Sequence, residues 1–540
     1  MHERERITYF AETDFRGEKQ RFGIKESDRA RHIYIVGKTG MGKSALLLNM
    51  AIQDIHNGNG ISFIDPRGGI VGKLLEYVPE SRIKDIIYIA PHATARSAFW
   101  NIFECVNEQT RHIAEDHIIT AFADLWRDIF NAEAEEILRN AVRTLFTYRD
   151  ATVIDIGRLF AEEKFRKEII EHLPDHALKV FWENIFSKEA SQKMRDTVET
   201  LTAKMRIFIA DPIIRGSVGN ARSSFDILEA MDAKKVLLAD FAVARIGEEH
   251  TRFLGKLFIA HIHCAMMARM NAPAGIFREK PHHYLFADEC QLFSDDTFGE
   301  LFVNARRAKL DLTVTHQYLE QLSEHTRTAI WGSVGTIIVF RLGSFDAEIF
   351  EKEFAPHFTA EELADLRFAE ICLKLTIDGV SSKPFLATTL PTIAPAPVSF
   401  KERVLASSQA LYAQAPAPVA ENRETHHRTA ISPTASLDVL KKEEWESENK
   451  KRLRELLAGA LAEQENNKQG IIKKQDDKSS VSSGAHSAGE IIDSEGVKQS
   501  VADIASDDKV ADDIRTAKPP VAVRKTPDEV PEEVLEKILE

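Results

Sequence analysis

Up to Phe400 the chain alternates short apolar runs with stretches of helical periodicity. The run HIYIV (32–36) reads as a buried strand. A glycine-rich loop and the helical pattern SALLLNMAIQDIH follow it, and Asn57-Gly58 supplies a helix stop. ISFID (61–65) and IIYIA (86–90) are further strands. From about Gln109 to Ala230 the apolar spacing turns helical, as in HIITAFADLWRDIF and ILRNAVRTLFTY. KVLLADF (235–241) returns to strand and precedes a long helix near Glu248–Met270. YLFAD (284–288), LTVTH (312–316) and TIIVFRL (336–342) extend the sheet, and ICLKLTI and PFLATTL flank Asp378-Gly379 as a late hairpin. Strands that alternate with helices predict an α/β fold with a mostly parallel sheet, interrupted by an inserted all-α block. No internal repeat is visible.

The pattern fades after Phe400, where Tyr412 and Trp445 are the last aromatic residues. APAPVSF and QAPAPVAENRETHHRT read as linker, and the remainder as a mostly disordered acidic tail. Leu437 to Glu465 and the closing PEEVLEKILE have helical spacing, fit for transient helices or for docking a partner. The expected division is an N-terminal extension (1–30), a nucleotide-binding domain (31–107 and 231–395), an inserted all-α domain (108–230) and the tail (396–540).

Length and composition narrow the class. A chain of 540 residues, 44% hydrophobic, can bury a substantial core. A formal charge of −14 argues against a general nucleic-acid coat, but not against a machine that grips a polymer at a few loops. Cys105, Cys264, Cys290 and Cys372 make no CxxC pair, which fits a reducing cytosol. No signal peptide and no run of about 18 apolar residues is seen, so a soluble cytoplasmic protein is expected.

The chemistry concentrates at two places. GKTGMGKS (37–44) matches GxxxxGK[ST] and lies between a strand and a helix. Gly37, Gly40 and Gly42 let the backbone wrap an anion, with Lys38, Thr39 and Met41 completing the loop. Lys43 would reach the terminal phosphates of ATP, and Ser44 would offer a hydroxyl to Mg²⁺. The second place is YLFADE. It ends an apolar strand with Asp288, suited to the Mg²⁺ shell, and Glu289, suited to polarising the attacking water. In the P-loop class that carries this glutamate, an extra strand separates the two motifs, and KVLLADF is the strand expected to intervene. A glycosidase-type acid pair is disfavoured, because it needs carboxylates about 5 Å or more apart across a scissile bond and leaves the loop unexplained. Cys290 reads as packing. Gln317, ending TVTHQ, could sense the γ-phosphate or be a plain strand terminus. Arg306 and Arg307 in NARRAKLD could supply a finger across a subunit interface or a solvated face. Asp65 in FIDPRGG ends a strand at the edge where ligands bind in open α/β folds, or makes a structural turn.

These motifs, in this order, resemble the HerA–FtsK superfamily of ring-forming ATPases, and within it the type IV coupling proteins of conjugative DNA transfer. The resemblance covers roughly Arg31 to Leu390 and rests on HIYIVGKTGMGKS, FIDPRGG, FADECQLF, NARRAKLDLTVTHQYLEQL and VGTIIVFRLGSFDAE. It implies a RecA-like motor domain with an inserted all-α domain, and a homohexamer that hydrolyses ATP to move DNA through its channel. It also implies roles for single residues. Lys43 and Ser44 belong to the nucleotide motif, Asp288 and Glu289 are the metal-binding and catalytic acids, and Gln317 is the third motif. Arg306 is the trans-acting finger and Arg341 a second arginine near the nucleotide. Two departures stand out: such proteins commonly begin with membrane helices, which are not seen here, and Gly69 stands where an acid is common. The tail would reach a secretion channel, a relaxase or a nuclease. Two other readings share the motifs: a motor for protein secretion or pilus assembly, and a nucleotide-gated scaffold.

Overall fold

The computed structural model describes residues 5–15, 18–104, 108–187 and 190–413. The tail segments with helical spacing lie outside these. The strands are β1 (Ile7–Phe15), β2 (Glu18–Lys25), β3 (Ile33–Val36), β4 (Gly60–Asp65), β5 (Ile86–Ile89), β6 (Val236–Asp240), β7 (His283–Ala287), β8 (Leu310–His316), β9 (Thr336–Val339), β10 (Glu370–Lys374), the short pair β11 (Thr376–Ile377) and β12 (Val380–Ser381), and β13 (Phe385–Thr389). Eleven form one sheet in the order β2-β1-β13-β10-β9-β3-β8-β7-β4-β6-β5. From β9 to β5 all neighbours are parallel. β10, β13, β1 and β2 continue antiparallel. This is the mostly parallel P-loop sheet of a RecA-like fold.

The parallel strands are apolar throughout because helices cover both faces. Strand pleating sends alternate residues to opposite cores. Ile33 and Ile35 pack with Leu46, Leu47 and Met50 of the helix Lys43–His56, on the face that also holds the helix Gly69–Tyr77. Tyr34 and Val36 enter the other core, which contains the long helix Glu248–Met270 and the helices that run from Arg111 to Asp232. Asn131, Asp175, Ser191, Asp211 and Asp226 start five of those helices by accepting backbone N–H bonds, so the helix breaks are written locally. An aromatic cluster seats this block on the long helix: Phe253 lies 5.1 Å from Phe122 and 4.9 Å from Phe208, centroid to centroid.

Three features differ from the sequence reading. Residues 7–15 and 18–25, expected as an extension, form the antiparallel pair β1 and β2, which joins the sheet through Ala11 opposite Thr389. β2 is an edge strand, where charged residues are tolerated, and a bulge in β1 between Tyr9 and Ala11 breaks the period-two signal. The helix Lys401–Tyr412, expected within the tail, packs on the sheet with Val404 and Ser408 buried. Ser408 Oγ accepts the Tyr88 N–H at 2.9 Å, so it pairs an N–H group of the edge strand β5. The strand KVLLADF also lies elsewhere than expected. β6 sits between β4 and β5, and the strand separating β3 from β7 is β8.

A buried ion pair links the N-terminal segment to the nucleotide-loop helix. Arg29 makes a bidentate contact with Asp54 at 2.7 and 2.9 Å, and its guanidinium lies 3.8 Å from the centre of the Tyr284 ring. Both partners are almost fully buried. Removing one leaves an unpaired charge in the core, so Asp54→Ala is expected to cost about 3–5 kcal/mol of stability. Chemical denaturation measures this, and a loss below about 1 kcal/mol would mean that the pair behaves as a solvated one.

Candidate functional site

β3 delivers the chain into the loop Gly37–Ser44 at the carboxyl edge of the sheet. Gly37, Gly40 and Gly42 have φ of 147°, 80° and 117°, a region closed to most side chains. At Gly37 space forbids one as well, since a Cβ would lie 2.6 Å from Phe340 Cβ. Lys38, Thr39 and Gly40 are exposed, whereas Met41 is buried. The Lys38 N–H is fixed to the Arg341 carbonyl at 2.8 Å. The helix begins at Lys43, and its first N–H groups have no partners within it. Lys43 Nζ lies along the loop, donating to the carbonyls of Gly37 (2.6 Å) and Lys38 (3.1 Å). Burial holds the pKa of its ammonium down, against the pull of Glu289 and Asp288.

The two acids stand directly after β7. Asp288 and Glu289 are 1% and 5% exposed, so each depends on its partners. Ser44 Oγ donates to Asp288 Oδ2 at 3.1 Å, and Thr315 Oγ1 donates to Asp288 Oδ1 at 2.5 Å. The Thr315 hydroxyl also accepts the Glu289 N–H at 3.1 Å. Burial raises the Asp288 pKa; the Thr315 bond opposes this, and the charges of Glu289 and Asp65 add to it. Glu289 has φ of 47°, an unusual backbone for a non-glycine residue. Its Oε2 accepts from Gln317 Nε2 (2.8 Å) and Gln291 Nε2 (2.6 Å), and its Oε1 pairs with Arg67 Nη2 at 2.9 Å. Thr315 and Gln317 are two apart on β8 and its end, so pleating aims both at the acids.

The structure thus brings together Lys43, Ser44, Asp288, Glu289 and Gln317. Three other candidates lie differently. Asp65 is a turn-builder: its Oδ1 accepts the N–H groups of Arg67 and Gly68, and its Oδ2 those of Ile70 and Val71. Those four bonds use the lone pairs of the carboxylate, which corrects its expected role in binding nucleotide. Arg341 lies beside the loop, with its carbonyl on Lys38 and its Nε on the Leu366 carbonyl at 2.5 Å. Arg306 and Arg307 are exposed in the turn before β8, at the amino edge of the sheet. Arg306 there helps lower the pKa of His32, which burial holds near 4. The length of β8, about 20 Å at ~3.3 Å per residue, separates both arginines from the loop of their own chain. The sequence reading missed Thr315, Gln291 and Arg67. Thr315 was discoverable from its spacing to Gln317; Arg67 becomes visible only through the turn that Asp65 builds.

A phosphate loop, an acid pair two strands away and a polar residue ending the strand between them define a P-loop NTPase. The family model described as the type IV secretion-system coupling protein DNA-binding domain matches residues 22–348, more than half of the chain, and the chain belongs to that family. Among solved structures, the plasmid coupling protein TrwB in complex with ADP and Mg²⁺ is similar at 15% identity and a TM-score of 0.50, covering 72% of this chain and 95% of that one. VirB4 of Thermoanaerobacter pseudethanolicus shows 12% identity and a TM-score of 0.45, covering 68% of this chain and 91% of that one. At 15% identity the likeness to TrwB is one of fold. A search of curated proteins finds no match. Among the described residues no helix is long and apolar enough to cross a membrane.

The donors suit a small hard cation. The Ser44 hydroxyl and an Asp288 oxygen lie one hydrogen bond apart, and Mg²⁺ takes few protein ligands, completing its shell with phosphate oxygens and water. Among the described residues no cluster of three His, Cys, Asp or Glu side chains could hold a metal. Thr315 orients the carboxylate from behind. Thr315→Val is therefore expected to raise the Mg²⁺ concentration needed for half-maximal nucleotide binding by about 10- to 100-fold, with unchanged near-ultraviolet circular dichroism. An unaltered Mg²⁺ dependence would remove Thr315 from the site.

Proposed function

We propose that the chain is a Mg²⁺-dependent ATPase that drives DNA translocation as a homohexameric ring. The observation that carries this reading is the continuous set of hydrogen bonds from Ser44 through Asp288 and Thr315 to Glu289 and Gln317. It joins a hydroxyl on the phosphate loop to a held carboxylate, as an in-line attack on a terminal phosphate requires. The loop from Gly37 to Ser44 binds the phosphates, and Lys43 leaves its carbonyls for the terminal ones. Ser44 and Asp288 hold Mg²⁺, which neutralises phosphate charge when bound. Glu289, steadied by Gln317, accepts the proton of the attacking water. Arg341 sets the entry of the loop. The family match, to a DNA-binding domain of coupling proteins, supports DNA as the cargo.

Two tests address hydrolysis and cargo. Lys43→Ala is expected to lose nucleotide binding, and Glu289→Gln to retain binding but lose turnover by about 10²- to 10⁴-fold. Turnover by Glu289→Gln at the wild-type rate would exclude it as the base. Steady-state turnover of the full chain should rise with single- or double-stranded DNA and fall back at higher salt, because phosphate contacts are salt-sensitive. Turnover indifferent to DNA at every salt concentration would leave an ATPase that moves protein or answers to a partner.

Arg306 tests the ring. It lies at the far edge from its own loop, so it reaches a nucleotide only in a neighbouring subunit. Arg306→Ala and Glu289→Gln chains should each be inactive alone. Mixed, they should recover turnover, since some interfaces then pair an intact Arg306 with an intact Glu289. Absence of recovery in rings shown to be mixed would mean that Arg306 does not act across the interface.

A further inference from the structure

Among the described residues, Arg67 is the one hydrogen-bond or ion-pair partner of the Glu289 carboxylate that does not come from the ends of β7 and β8. It stands in the turn after β4, and that turn is rigid. Asp65 takes four of its N–H groups, Gly68 has φ of 76°, and a Cβ on Gly68 would meet Ala242 Cβ at 2.6 Å and Asp240 Oδ1 at 2.7 Å. The backbone of Arg67 is therefore fixed, while its side chain is 53% exposed and able to swing. The guanidinium pairs with Glu289 Oε1 at 2.9 Å, and two glutamine amides occupy Oε2. Oε2 is thus filled, Oε1 is the oxygen with acceptor capacity left, and the guanidinium stands on it, where a base must meet water. Gln291 and Gln317 are only partly exposed and belong to short connections at the strand ends; the arginine is the partner best able to leave. It also lies at the phosphate end of the site. Burial is the main cause of the lowered Lys43 pKa, and the charge of Arg67 adds to it.

We propose that Arg67 reads the terminal phosphate of the nucleotide, passing from Glu289 Oε1 to the γ-phosphoryl oxygens and so freeing that carboxylate oxygen for the attacking water. The inference rests on the ATPase reading above. A terminal phosphoryl group offers more charge than a carboxylate and several oxygens matched to the guanidinium fork, so it competes for Arg67 where a diphosphate does not. The exchange couples two events that hydrolysis needs together: the phosphate gains a cation as the base loses one. Arg67 is a binding residue towards the phosphate and a positioning residue towards Glu289.

The experiment compares the Kd of a Mg²⁺-bound, fluorescent, non-hydrolysable ATP analogue with that of the matching ADP derivative. It uses full-length wild type, Arg67→Ala and Arg67→Lys, with kcat for ATP measured in parallel. Arg67→Ala should reduce the preference for triphosphate over diphosphate by about 10- to 100-fold, the worth of a charge-assisted hydrogen bond. The Kd for diphosphate should stay unchanged, and kcat should fall by about 10²- to 10³-fold. Arg67→Lys should keep part of the preference, because the charge remains while the fork is lost. An unchanged preference overturns the inference whatever happens to kcat, and so does parallel weakening of both ligands, which marks a structural role. If wild type binds neither nucleotide, or Lys43→Ala binds both as tightly as wild type, the ATPase reading falls and this inference falls with it.

Discussion

One hydroxyl group holds the site together. Thr315 donates to Asp288 and accepts from the backbone of Glu289, so a single side chain on β8 fixes both acids that follow β7. This is possible only because β8 lies between β3 and β7. Adjacent pairing of the loop strand and the acid strand would leave no donor between them, and a buried Asp288 would lack the bond that offsets its desolvation. The strand order is thus the condition under which two carboxylates can stand side by side at the end of an apolar strand. Ser44 then meets Asp288 from the loop side, and Gln317 meets Glu289 from the end of the same β8 that carries Thr315.

The remaining supports keep the polar groups of the carboxyl edge in place. Asp65 spends its whole carboxylate on a turn, and Arg341 fixes the Lys38 N–H through its carbonyl. Farther away, Arg29 and Asp54 clamp the helix that follows the phosphate loop to the N-terminal segment and to Tyr284 on β7. The loop helix and the acid strand are therefore braced against each other at two levels. At the edge the brace is the bond from Ser44 to Asp288, and deeper in the sheet it is the arginine on the Tyr284 ring. Unpaired polar groups at such depth are expensive, so these contacts restrict the geometry more sharply than apolar packing alone would.

The parts that were legible in the sequence are those set by local physics. GKTGMGKS with its flanking strand and helix, the apolar run ending in Asp288-Glu289, and the break into helical periodicity near Gln109 all declare themselves within a few residues. Parallel strands buried on both faces are continuous apolar runs, and a short stretch bounded by turn residues suffices to see one. What was not legible depends on partners distant in the chain. β1 and the edge strand β2 look like a charged extension until β13 is beside them. The helix Lys401–Tyr412 buries a stripe as narrow as Val404 and Ser408 and follows a Pro/Ala-rich stretch that reads as linker. Which of β6 and β8 separates the two motifs is a matter of topology, and their strand patterns are alike. Asp65 shows the same limit at a single residue, since a strand-end aspartate looks the same whether it faces a ligand or four of its own amides.

The arginines divide the work by position. Arg67 belongs to the chain whose Glu289 it touches, and Arg306 sits a full strand length away at the opposite edge. On the proposed reading, the positive charge that an in-line transfer needs in its transition state would come from two sources. The near source would respond to the nucleotide in its own site. The far source lies a strand length from that site and would act only on a neighbouring copy in the proposed ring. On the proposed reading, such a division would make hydrolysis conditional on assembly without adding any regulatory element to the site itself. It would also place that condition on an exposed turn, a strand length from the buried acids.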